Sequence, residues 1–119
     1  NTEFVEQMSD CNKYIKTLHK SKIGYVARHV CENKIILSFG NIFCTISEKG
    51  FINLCAALNE ISNDIENRIN EMIDGEKVIL STPVEYINLT FSQKEFYAVQ
   101  DLVEQAKFSL EIEKHFSLN

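Results

Sequence analysis

A segment that occurs twice constrains this chain more than anything else in it. Ile42-Phe43-Cys44-Thr45-Ile46-Ser47-Glu48-Lys49-Gly50-Phe51-Ile52-Asn53-Leu54 returns 45 residues later as Ile87-Asn88-Leu89-Thr90-Phe91-Ser92-Gln93-Lys94-Glu95-Phe96-Tyr97-Ala98-Val99. Thr, Ser, Lys and Phe coincide, and the apolar positions pair as Ile42/Ile87, Cys44/Leu89, Ile46/Phe91 and Leu54/Val99. In the first half of each copy the apolar residues alternate with period two, the mark of a strand with one buried face. The spacing then changes. Phe51, Leu54, Cys55, Leu58, Ile61 and Ile65 in one copy, and Phe96, Val99, Val103, Ala106 and Leu110 in the other, step by three and four along one helix face. Ser47 and Ser92 stand at the switch, where a hydroxyl accepts from the unpaired amides of a first helical turn. Ser92 with Glu95 completes a capping box, whereas Gly50 holds the matching place in the first copy. Two units are too few for a stacked array. The expectation is a pseudo-symmetric single domain over residues 1–119, with strand-to-helix units at 42–61 and 87–106.

The flanking sequence extends this frame. Phe4, Met8, Cys11, Ile15 and Leu18 have helical spacing, but Ser9-Asp10-Cys11-Asn12 is rich in turn formers, so residues 2–22 read as a short helix followed by a strand. Gly24 to Val30 is β-rich, Glu32-Asn33 offers a tight turn, and Lys34 to Phe39 follows with Ile35, Leu37 and Phe39 on one face. Gly40-Asn41 is a two-residue hairpin loop in which both residues tolerate positive φ, and strand 42–47 completes a meander. The helix after Ser47 reads on to about Asp74 through Ile65, Ile69, Met72 and Ile73, with a kink or break allowed at Ser62-Asn63-Asp64 and a stop at Gly75. Lys77–Ser81 and Val84–Phe91 are strands around Pro83, which cannot donate to a ladder, and a last helix runs from Gln93 to His115. The fold class expected is α+β, an antiparallel meander with two long helices on one face.

Composition narrows the function. With 45% apolar and 24% charged residues and one proline the chain is globular rather than disordered. No run approaches the roughly 20 apolar residues of a membrane span, and no basic-then-apolar signal pattern is present, which predicts a cytoplasmic protein with reduced cysteines. The net charge of -5 is uneven: residues 1–49 carry seven Lys/Arg against five Asp/Glu, residues 50–119 five against twelve. That acidic second half disfavours broad nucleic-acid binding.

The run Gly24-Tyr25-Val26, Cys31 and Ile35-x-Leu37-x-Phe39-Gly40-Asn41-Ile42 resembles a family of small uncharacterised bacterial proteins of the Bacteroidetes, over about residues 11–58. Where that family carries a Cys-x-x-Cys pair this chain has His29-Val30-Cys31, so no shared metal site carries over. The resemblance implies a bacterial, cytoplasmic origin and no activity.

Three classes of site remain. A metal site would draw on Cys11, His19, His29 and Cys31, since His29 and Cys31 project to one strand face, but zinc needs three or four ligands and no knuckle spacing is present. An anion or nucleic-acid site would use the basic segment Lys13, Lys16, Lys20, Lys22 and Arg28. No phosphate loop, nucleophile elbow or metalloprotease motif marks an enzyme, so no catalytic residue and no cofactor is assigned. The third class is a non-catalytic interaction module. Tyr25, Ile36, Phe43 and Tyr86 fall on the strand register opposite to the core, where apolar side chains must meet something or stay wet. A homodimer formed through that face or through an unpaired edge strand would cover them.

Overall fold

The computed structural model describes residues 14–117. It is an α+β fold with two antiparallel sheets. Strands β1 (Ile15–Ser21), β2 (Gly24–His29), β3 (Lys34–Phe39) and β4 (Ile42–Ser47) form a meander in the order β1-β2-β3-β4. Helix α1 (Glu48–Ser62) and a 3-10 turn (Ile65–Arg68) lead to a second sheet of β5 (Ile69–Met72), β6 (Gly75–Ser81) and β7 (Asn88–Phe91), and α2 (Gln93–Ser117) ends the chain. The part of the expected N-terminal helix before Tyr14 lies outside the described residues.

Both copies of the recurring segment are strands running into helices. The Ser47 hydroxyl accepts the Gly50 amide at 3.0 Å. At the second junction the bonding is reciprocal: the Glu95 amide donates to the Ser92 hydroxyl at 3.1 Å and the Ser92 amide to the Glu95 carboxylate at 2.7 Å. Those bonds from Ser92, amide and hydroxyl, hold the Glu95 carboxyl below its usual pKa, so the box is present above the ordinary carboxylate range and is lost as the pH falls. The copies differ in extent: α1 has 15 residues and α2 has 25, while β4 has six and β7 four.

One cluster of buried side chains joins all layers. Phe51, Cys55, Leu58 and Ile61 come from α1, and Phe96, Val99, Leu102, Val103, Ala106 and Leu110 from α2. Val26, Ile35, Leu37 and Phe39 enter from the first sheet, and Val78, Leu80 and Phe91 from the second. The Phe39 and Phe91 rings meet across the seam between the sheets at 6.0 Å. Ile46, Leu54 and Leu89, expected in the core, pack against it half-buried. The helices run antiparallel, because the Gln100 amide donates to Asn59 Oδ1 at 3.0 Å while Lys114 pairs with Glu48. Arg28 Nη1 reaches Glu113 Oε1 at 2.6 Å and so ties β2 to the far half of α2.

One turn and one close approach of strands depend on glycine. At Gly40, φ is +54°, while Asn41 does not take positive φ as expected, which is the pattern of a hairpin turn with glycine first. A Cβ on Gly24 would stand 1.9 Å from the Ser38 carbonyl oxygen, so β2 can approach β3 there only without a side chain.

Four expectations are corrected. The sheet is not single: the meander ends at β4, and the later strands form a sheet of their own. α1 does not run on to Asp74 but stops at Ser62, at the break allowed there, where the Asn63 amide closes on the Asn59 carbonyl at 3.0 Å and Asn67 bonds Asp64 through its side chain at 2.7 Å. Residues 69–72 are strand rather than helix, because pairing with β6 sets Ile69 beside Val78 and leaves Ile73 exposed at the hairpin tip. Val84–Ile87 is turn rather than strand. The Thr82 hydroxyl accepts the Val84 amide and donates to the Ile87 carbonyl, capturing groups a ladder would need, and Pro83 has no amide to give.

Truncating Phe51 or Phe96, both fully buried, to Ala lowers unfolding free energy by about 3–5 kcal/mol in denaturant titrations. A loss under about 1 kcal/mol would mean that the site is not packed as described.

Candidate functional site

Antiparallel pairing assigns each strand residue of the first sheet to a face. Arg28 and Val26 point toward α2, so Tyr25, Ala27 and His29 point away, and with them their rung partners Ser38 and Phe43, Ile36 and Thr45, Lys34 and Ser47. On this outer face Phe43 is 65% exposed, whereas Ile36 is 7% exposed between Ala27 and Thr45. Ile36 is therefore withdrawn as an interface candidate. Tyr25 is half-buried, and Tyr86, 87% exposed, stands in the turn before β7 and not on a strand face. The four residues do not make one patch by strand register, and Phe43 is the member that the sheet itself presents.

The metal candidates do not converge either. His29 Nδ1 lies 3.3 Å from Cys31 Sγ at the β2–β3 turn. His19 sits opposite the inward Val26, on the other side of the sheet from His29, and a bulge between Thr17 and His19 separates their registers. Among the described residues no three His, Cys, Asp or Glu side chains gather to hold a metal ion, and Cys11 lies outside them. Basic residues are divided in the same way. Lys16 and Arg28 share a rung on the helix side, Arg28 is engaged by Glu113 and Asn33, and Lys20 is opposite Tyr25 on the outer face. Lys13 lies outside the described residues.

A cleft of about 590 Å³ opens between the ends of the two sheets, floored by Phe39, Ile42, Phe91 and Val99. Its ionisable lining groups are Lys22 and Glu95, and the Glu95 carboxylate is already committed to the capping box. A nucleophile is not available from Cys55, which is fully buried; burial, then the charge of Glu104, pushes its thiol up to about 11.

What the geometry does expose is an edge. Among the described strands β1 and β4 bound the first sheet, and β5 and β7 the second. β1 is guarded by Lys16, Lys20 and its bulge, while β5 and β7 are four residues each. β4, Ile-Phe-Cys-Thr-Ile-Ser, runs six residues with no charge, no proline and no register shift. Its inward residues Ile42, Cys44 and Ile46 are only half-buried, so the strand is open along one side. Long uncharged edges of this kind are templates for pairing.

The fold and this surface define an α+β protein with an open strand edge among the described residues. Residues 11–119 match the model of a family of unknown function, DUF6686, and the chain belongs to that family. It is an uncharacterised family, as the resemblance over residues 11–58 implies. Neither the curated proteins nor the solved structures contain a match to the chain. Among the described residues no helix is long and apolar enough to cross a membrane.

In the native protein Cys55 resists alkylation at neutral pH and is modified only on unfolding, as mass mapping of labelled peptides reads directly. Its raised pKa also means that the folded chain holds a proton that the unfolded chain releases, so stability declines as the pH climbs from the ordinary thiol range toward about 11. Rapid native labelling of Cys55 would show that the α1–α2 contact is open.

Proposed function

We propose that this protein is a non-catalytic interaction module of the bacterial cytoplasm that works by association, first with itself, through the edge and outer surface of β4. The observation that carries this reading is the contrast between edges. β1 has the lysines and bulge with which sheets discourage pairing, and β4, of similar length, has none of them. An extended partner laid along β4 gains main-chain hydrogen bonds, and Phe43 supplies apolar area beside them. The acidic second half of the chain keeps such an assembly soluble. A reducing compartment suits the half-buried thiol of Cys44 in the middle of the strand.

Multi-angle light scattering across the micromolar range tests the reading. The chain shows a concentration-dependent mass above the monomer, and Phe43→Lys weakens association by at least about tenfold while leaving the melting temperature of the dilute, dissociated protein unchanged. A monomer mass throughout, unaltered by the substitution, rejects self-association.

A further inference from the structure

The hairpin that creates β4 also fixes which of its backbone groups are available. A two-residue turn closes on the rung Phe39–Ile42, and the closing pair of such a hairpin exchanges hydrogen bonds. Because the pattern alternates, Ile42, Cys44 and Ile46 turn their amides and carbonyls toward β3. Phe43 and Thr45 turn theirs outward, to the open side. A strand pairing there must bond to Phe43 and Thr45.

Resting on the association reading above, we infer that the partner is a second copy of this chain, whose β4 pairs antiparallel to the first about a two-fold axis at Cys44, making one continuous eight-stranded sheet. Backbone and side-chain pairing together favour this register. Outward groups of Phe43 meet those of the partner's Thr45, and the reverse, so every free donor and acceptor of both residues is used. Opposed residues of an antiparallel pair point to the same side, so on the helix side Ile42 faces the partner's Ile46 and Cys44 faces the partner's Cys44. A slip of two residues one way sets Ile42 against the partner's Glu48, and the other way sets Ile46 against the partner's Gly40, which offers no side chain. The same alternation forbids a slip of one, which would turn apolar residues to the wrong face. No like charges oppose each other between residues 42 and 47, because the segment has no charge. In this register Gly40, the smallest residue, lies opposite the point where the partner's α1 leaves the sheet.

The two Cys44 residues form a rung without hydrogen bonds, with Cα atoms about 4.5 Å apart, inside the range that a disulfide spans. The thiol therefore reports the register. Burial raises the Cys44 pKa, so the reaction is run at mildly alkaline pH. Wild-type protein at a concentration where light scattering gives a dimer is treated with diamide, which takes up the two electrons and two protons released as two thiols join. Peptide mapping by mass spectrometry then locates the bond. The expected result is a covalent dimer linked Cys44 to Cys44, retained in Cys31→Ser and absent in Cys44→Ser. A dimer by mass with no bond through Cys44 overturns the register while leaving association standing. A monomer mass before oxidation overturns both.

Discussion

One helix holds the two sheets in place. Phe96, Val99, Leu102, Val103, Ala106 and Leu110 of α2 are all buried, and this stripe supplies core to the four-stranded meander and to the three-stranded sheet together. The capping box at Ser92–Glu95 fixes where α2 starts, next to the seam at which Phe39 meets Phe91. At its far half Glu113 holds Arg28 of β2, and Lys114 holds Glu48 at the start of α1. Shortening or tilting α2 would thus open the core of both sheets at once. The order of strands, and with it the identity of the open edge, depends on this shared surface.

On the first sheet the strand most open to act is β4, whose inward residues are half-buried and whose outward Phe43 is exposed. Of the outer-face residues Ala27 and Ile36 are buried, while Phe43 is exposed on β4, beyond which no further strand lies among the described residues. A monomer with a six-residue uncharged edge carries a standing risk of unspecific pairing, and a defined partner strand removes that risk while using the same hydrogen bonds. Function here would follow from topology more than from any cluster of reactive groups.

The sequence was most legible where alternation and turn chemistry agree. Lys34–Phe39 and Ile42–Ser47 have the expected bounds because Gly40-Asn41 punctuates two runs of period two. The serine junctions and the buried helix stripes were readable for the same local reason. Residues 65–73 were not, since Ile65, Ile69, Met72 and Ile73 satisfy helical spacing and only the ladder with β6 decides otherwise. Tyr86 looked like a strand residue until Thr82 and Pro83 closed a turn around it. At the candidate site, alternation placed Phe43 on the outer face, but the place of β4 at the edge of the described sheet is a tertiary property that no window of sequence contains. The uncharged run Ile42–Ser47 was a usable signal once that position in the sheet was known.

Amide hydrogen exchange at Phe43 and Thr45, followed as protein concentration is raised, tests the central claim most directly. If the β4 edge is where a second chain docks, these two amides exchange quickly in dilute protein and become protected as the concentration passes through the association range, while Cys44, already bonded to β3, stays protected throughout. Rapid exchange of Phe43 and Thr45 in a concentrated sample that is dimeric by mass would contradict it and place the contact elsewhere.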